Sequence, residues 1–347
     1  MINFLGKTGN TYGVIDLQFR AGDEPGEPGK HKGFEITYLE TTTPVPSVTV
    51  FPRYTSYSDF GPAPIPTWAK IQSGATHTPT VGPGTPTVTP TPTFNTRTPL
   101  PFTGSDRHVI VVDQRTCNLY EMYNSYPRQG GNWDAGSTAQ WSLNSNTVRP
   151  TLGPTGRPSA DASGLPMYPL IPRYAEVASG SINHAIRVTV ASEKVRCTNN
   201  SLGFRGAGQS PCPGNGFSAG YIWPATYSDG IAPATTPAAL PMGTHLRLRN
   251  NFTLECNNCP QTQIFIIALK NYGAIIADTD NTPGYPHMGL HAEWTVDPTP
   301  GTGWNNDDLY ENLTRVHLYD FEVVDATSDC TASYTWCPLC EIPCGGP

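Results

Sequence analysis

Acidic residues beside apolar strands are where an acid–base enzyme would keep its catalytic pair. Asp106 and Asp113 flank one such run, Glu121 follows, and Glu293 lies two residues past His291. A glycosidase needs two carboxyls about 5–10 Å apart across a cleft. No E-x-D-x-x-E strand motif of the jelly-roll hydrolases accompanies these residues, and turn-capping carboxylates are the commoner fate. His287, His291 and Glu293 (HMGLHAEW) share one face of a strand. Steps of ~6.6 Å along that face do not converge on one ion, so no metal is expected. Asp278-Thr-Asp280-Asn281 has the oxygen-rich composition of a calcium loop but lacks the Gly and Glu an EF-hand requires. A structural calcium and a plain turn both stay open there, with the turn favoured. No G-x-S-x-G, P-loop or dinucleotide fingerprint occurs, Ala162-Ser163-Gly164 reads as a turn, and no cofactor is expected.

Nine cysteines stand at 117, 197, 212, 256, 259, 330, 337, 340 and 344. Cys197 and Cys212 bracket a Gly/Asn/Pro loop suited to disulfide closure. Cys256-x-x-Cys259 and Cys337-x-x-Cys340 have the spacing of two halves of a zinc knuckle. The Thr/Pro-rich background favours disulfides in an oxidising compartment, which takes in Cys197, Cys212, Cys256, Cys259, Cys330, Cys337, Cys340 and Cys344. An odd count leaves one thiol over. Cys117, in a strand-like segment, is the expected buried free one, and a bridge from the tail (CPLCEIPCGGP) to another chain is the alternative.

The 347-residue chain holds 34 Gly, 36 Pro and 42 Thr and is only 14% charged, with a net charge of −7. That composition breaks helices and suits strands and turns, so a helical bundle is excluded. The negative balance disfavours nucleic acid. No apolar run reaches the ~18 residues that would span a bilayer; Ile264–Leu269 is strand-length. The opening MINFLGKTGN shows no export signal, so secretion is argued from the cysteines. Sequons at Asn199, Asn251 and Asn312 are compatible with a glycosylated surface.

Four regions follow. Residues 1–75 contain strand-like pieces at GVIDLQFR, GFEITYLE and SVTVFPRY, an N-terminal arm or small β module. Residues 76–101, with ten Thr and seven Pro, form an extended linker resembling O-glycosylated stalks, Thr85, Thr87, Thr89, Thr91 and Thr93 being candidate acceptors. Residues 102–326 carry recurrent strand signals at His108–Asp113, Ala185–Val190, His245–Arg249, Ile264–Leu269, Gly273–Ala277, His291–Thr295 and Leu318–Val324. Alternation in several of them, as in Ile186, Val188 and Val190 against Arg187 and Thr189, predicts one buried and one wet face. Short helices are expected at LYENLTRV, capped by Asn306-Asp307-Asp308, and around Tyr174. Residues 327–347 are a Cys-rich tail. The pattern reads as all-β, a β-sandwich of jelly-roll type.

Six segments, at 106–123, 159–177, 182–190, 221–227, 268–278 and 320–325, resemble an uncharacterised family of secreted bacterial proteins. The resemblance spans about residues 105–326 and implies an extracellular, mostly β chain. The family has no assigned activity, so no catalytic residue is carried over.

An alternating strand followed by a long extended tract is the layout of strand donation, in which one subunit completes the sheet of the next. Ile15, Leu17 and Phe19 would fill the neighbour's groove. A head-to-tail contact of that kind does not close and grows into a filament. The expected function is thus an extracellular or cell-surface structural protein, the subunit of a bacterial surface or shed filament. Its partner would be itself, with glycans or a cell surface as further candidates. With no complete catalytic motif, the reading leans away from an enzyme. The runner-up is a secreted carbohydrate-active protein, hydrolase or lectin-like, with Trp133, Trp141, Trp223, Trp294 and Trp304 as stacking platforms and Glu293 and Asp113 as the acids.

Overall fold

The computed structural model describes residues 16–20, 36, 38–66, 68–72, 106–128, 130–145, 159–197, 220–222, 224–233, 236, 239–280, 287–293 and 303–324. The Thr/Pro tract and the Cys-rich tail lie outside these. The described chain is mostly sheet, with three short α-helices.

The strands are β1 (Asp16–Arg20), β2 (Tyr38–Thr41), β3 (Val48–Pro52), β4 (Pro62–Ala63), β5 (Val109–Asp113), β6 (Asn118–Tyr123) and β7 (Tyr126–Pro127). They continue as β8 (Trp133–Ala135), β9 (Ser137–Ser142), β10 (Ile186–Ala191), β11 (His245–Leu248), β12 (Ala274–Asp280), β13 (His287–His291) and β14 (Phe321–Val323). Three sheets result, ordered β1-β13-β10-β12-β11-β14, β2-β5-β6-β9 and β4-β3-β8-β7. Pairing is mixed: β1/β13, β10/β12, β2/β5 and β3/β8 run parallel, whereas a jelly roll is antiparallel throughout.

The helices are α1 (Tyr174–Ser179), α2 (Pro260–Asn271) and α3 (Asn306–Leu313). Helix α2 replaces the strand expected at Ile264–Leu269. Pro260 at its first turn presets the backbone. Thr262, Phe265, Ile266 and Leu269 then fall on one buried face at three- and four-residue spacing. A short apolar run alone does not distinguish strand from helix. Asn305 caps α3 by accepting from the Asp308 amide at 3.1 Å. The last expected strands shift as well. The strand near His291 ends there instead of beginning there, and Leu318–Asp320 is a 3-10 turn leading into β14.

One core lies between the six-stranded sheet and the helices, built from Leu17, Ile186, Val188, Phe265, Leu269, Ile276, Leu290, Leu309 and their neighbours. A second joins Ile110, Val112 and Leu119 to Met167, Tyr168 and Ile171. A third joins Val109, Val111 and Met122 of the second sheet to Trp133 and Ala135 of the third, with Ile65 and Ile71. Residues 38–72 are thereby interleaved with residues 109–142. The Gln72 amide donates to the His108 carbonyl at 2.9 Å and the His108 amide to Gln72 Oε1 at 3.2 Å, so the chain leaves and returns at adjacent points.

Phe265 is fully buried and rests beside the Trp304 ring, with centroids 6.0 Å apart. Phe265→Ala is expected to cost about 3–5 kcal/mol in a denaturant titration, as for other fully buried phenylalanines; a cost below about 1 kcal/mol would contradict its place in the core.

Candidate functional site

Where the six-stranded and second sheets meet, β10 carries Arg187, 1% exposed. The expected wet face of β10 is buried: Thr189 is 3% exposed, and all six positions are covered. A guanidinium in such a place has to be paired. Its Nε and one terminal nitrogen donate to the two Asp161 oxygens at 3.1 and 2.8 Å, and the same terminal nitrogen reaches Asp278 Oδ2 at 3.2 Å. The Asp161 and Asp278 oxygens thus lie no farther apart than the sum of two bond lengths from one nitrogen.

Local chain geometry puts both carboxylates there. The pairing of β10 with β12 shifts register between Val188 and Thr189, so Val188 faces Ile276 but Thr189 faces Asp278. One extra residue, Ala277, turns Asp278 off the core-facing side and towards Arg187. Asp161 sits in a turn tied on every side. Its amide donates to Ser159 Oγ at 2.9 Å, Ser163 N to the Ala277 carbonyl at 2.9 Å, and Thr226 N to the Ser163 carbonyl at 2.8 Å. Gly164 closes this turn at φ +77°, and a Cβ there would collide with the Thr226 hydroxyl.

More acids converge than the one guanidinium neutralises. Burial pushes Asp106 up to about 6, Arg187 opposing and Asp161 and Asp280 reinforcing. Burial likewise raises Asp229 to about 6, with Asp161 and Asp106 adding and the Thr279 hydroxyl opposing. Asp278 rises well above the usual carboxylate range through burial and Asp161, against Arg187. Glu121, fully buried, is pushed to about 7 by burial although its Oε1 accepts from the Met167 and Tyr168 amides at 2.8 and 2.9 Å. Burial and Arg187 press His108 down to about 3, so it stays neutral. Tyr123 is raised by burial and by Asp106, Tyr54, Asp278 and Asp229. The site therefore stores protons. No group of three or more His, Cys, Asp or Glu among the described residues is arranged to hold a metal ion.

The acids singled out in the sequence are otherwise employed. Asp113 accepts from the Arg115 amide at 3.1 Å and pairs with its guanidinium at 3.0 Å. Glu293 accepts from the Tyr174 amide at 2.9 Å, anchoring the start of α1, while its carbonyl takes the Trp304 indole at 2.7 Å. Beside it, Tyr168 donates to Glu40, and Glu176 joins Arg173 with His184. Asp106 and Glu121 do belong to the Arg187 cluster; Arg187 and Asp229 were missed, Arg187 because one arginine in an alternating strand reads as solvent-facing. His291 is buried, Asp278–Asp280 finishes β12, and Asn281 lies outside the described residues.

Leu17 is fully buried, its amide donating to the Val316 carbonyl at 2.8 Å, on an edge strand whose neighbour is β13. Phe19 pairs with Leu290 in register, and Ile15 lies outside the described residues. Cys256 and Cys259 form a disulfide directly before α2. Cys117, expected to be free, is disulfide-bonded, as is Cys197; Cys212, Cys330, Cys337, Cys340 and Cys344 are not among the described residues. Asn251 is exposed in a turn, and the Asn312 amide donates to the Asp308 carbonyl at 2.7 Å. Asn199 and Thr85, Thr87, Thr89, Thr91 and Thr93 lie outside the described residues. Trp133 and Trp141 are core residues and Trp304 is half-buried; Trp223 and Trp294 are not described. No helix among the described residues is long and apolar enough to cross a membrane.

No family model, curated protein or solved structure matches the chain.

Carboxyls raised in the folded state bind protons that the unfolded chain has already released. Their stabilisation is complete below the unfolded pKa of about 4 and is lost as pH climbs through 6 to 7. His108 acts oppositely, costing stability as pH falls below 6.5, but it is one group against several. The melting temperature is expected to fall from pH 4.5 to 7.5 in a buffer series, and Glu121→Gln to flatten that slope and raise stability at pH 8. An unchanged slope in E121Q would refute the proton-storing role of Glu121.

Proposed function

We propose that the chain is an extracellular structural protein, the subunit of a bacterial surface or shed filament built head to tail by strand donation. The observation that carries this reading is β1. It is a five-residue edge strand. Its apolar anchor Leu17 is wholly buried in the main core, against β13 and next to α3. The same slot would accept the same strand from a second copy.

Residues 21–35 separate β1 from Ile36, which is bridged to Glu293, and 15 residues reach roughly 50 Å when extended, enough to cross to a neighbour. Backbone ladder bonds would supply affinity and the buried leucine the register. Phe60 and Trp68, 66% and 61% exposed, offer further apolar surface. On this reading the body is a β-sandwich, the Thr/Pro tract an O-glycosylated projection and the disulfides protection outside the cell.

A second, carbohydrate-active reading is favoured by one observation, the convergence of Asp106, Asp161, Asp229 and Asp278 on a partly open site beside Tyr123.

Electron microscopy of the full chain and of a variant lacking residues 1–20 tests the filament reading. Full-length protein is expected to form uniform filaments, and the truncated chain to stay dispersed. Excess peptide of residues 13–20 (GVIDLQFR) is expected to shorten the filaments. Filaments from the truncated chain, or dispersed full-length particles at every concentration, would end this reading.

A further inference from the structure

The Cys256–Cys259 disulfide differs from a bridge that holds a fold together. Its cysteines are separated by Asn257 and Asn258 alone, and closing so short a loop takes the least entropy from the unfolded chain. Both flanks are fixed without it. Upstream, the Phe252 amide donates to the Arg249 carbonyl at 2.9 Å, and Lys270 Nζ donates to the Asn250 and Phe252 carbonyls at 3.1 and 2.7 Å. Downstream, the Gln261 amide and the Thr262 hydroxyl donate to the Asp308 carboxylate at 2.9 and 2.6 Å, and Phe265 and Leu269 are fully buried. The turn itself is preset, because Asn258 adopts φ +57°, a left-handed value that asparagine tolerates. Opening the bridge therefore leaves two sulfurs side by side on a folded chain.

We propose that Cys256 and Cys259 form a reversible redox site that exchanges with low-molecular-mass thiols and their disulfides. The two sulfurs are unequal. Cys256 is half-buried between exposed Glu255 and Asn257, whereas Cys259 is 5% exposed at the N-cap of α2. An incoming thiolate reaches Cys256 Sγ. Its sulfur bonds there as the Cys256–Cys259 bond breaks, and Cys259 leaves with the electron pair as a thiolate. A second thiolate attacks the sulfur of the first in this mixed disulfide and expels Cys256. Two thiols are thereby oxidised to one disulfide, and the two protons they release pass through solvent to the cysteines.

One side chain assists the exchange. Gln263, one turn into α2, directs Nε2 at both sulfurs, 3.4 Å from Cys256 and 3.6 Å from Cys259, while its backbone amide donates to the Cys259 carbonyl at 3.1 Å. A fixed N–H donor within reach of a departing sulfur favours the thiolate over the thiol. The helix end itself contributes less, since Asp308 already takes the Gln261 and Thr262 amides. Cys117 and Cys197 are bonded too but 6% and 1% exposed, so a small thiol meets Cys256 before either of them.

The test equilibrates the full-length chain in glutathione buffers of graded reduced-to-oxidised ratio and then blocks free thiols by alkylation. Cleavage after Arg249 and Lys270 releases residues 250–270, which hold Cys256 and Cys259 and no other cysteine, so mass spectrometry reads this bridge by itself. Expected is reversible reduction of that peptide at ratios that leave Cys117 and Cys197 bonded, with the far-UV spectrum unchanged. In Cys259→Ser, glutathione is expected to accumulate on Cys256; in Cys256→Ser, the buried Cys259 is expected to react ~10-fold more slowly or less. Gln263→Leu is expected to slow opening by about 10-fold. Should a variant fail to fold by circular dichroism, the titration of the unaltered chain decides. A bridge that opens only together with those of Cys117 and Cys197, or only as the far-UV signal is lost, is structural and overturns the site. Glutathione reacting as fast with Cys259 as with Cys256 overturns the order of attack.

Discussion

A guanidinium with 1% exposure in the middle of a sheet is the constraint around which the rest is arranged. Taken from water alone, Arg187 would cost a large share of what the molecule has to spare. Leaving one member of a buried pair uncompensated costs about 3–5 kcal/mol against a typical net stability of 5–15. Its fork to Asp161 requires the 159–165 turn to close tightly, hence Gly164. Its third bond requires Asp278 to face inward, hence the extra residue in β12. Once both are in place, the strands that carry them cannot slip in register without breaking the pairing.

The same arrangement overshoots. Asp106, Asp229, Asp280 and Glu121 add negative charge that one Arg187 does not balance, and neutral His108 contributes none. The surplus is met by protons. A structural pair alone has no use for four further acids, and this distinguishes the cluster from the Glu293 network, where Glu293 and Glu176 each hold a backbone amide and Glu176 also a guanidinium. It also joins the two halves of the molecule, since the acids come from β6, β12 and three loops. The edge strand β1 and the Arg187 cluster sit on the same six-stranded sheet, β1 at its edge and Arg187 inside it.

Much of the sheet was legible because alternation survives burial: β1, β3, β5 and β11 lie within the segments read from the sequence, and β2 and β10 overrun theirs by one residue. What failed did so for local reasons. Ile264–Leu269 is as apolar as a strand, and the distinguishing residue, Pro260, lies outside the run. Arg187 and Thr189 kept perfect alternation while facing a second sheet instead of water. The register shift beside Ala277 leaves no periodic trace, so Asp278 read as part of a turn. Convergence of Asp161, Asp229 and Asp278 spans more than a hundred residues, a distance at which spacing says nothing.

The central claim is that carboxyls around Arg187 hold protons near neutral pH, and carbon-13 titration of the aspartate and glutamate carboxyls measures that directly. Resonances lost in D106N, D229N and E121Q identify the three groups. Midpoints near 6 for Asp106 and Asp229 and near 7 for Glu121 are the expected result. Midpoints at or below 4.5 for all three would show an ordinary ionised cluster and contradict it.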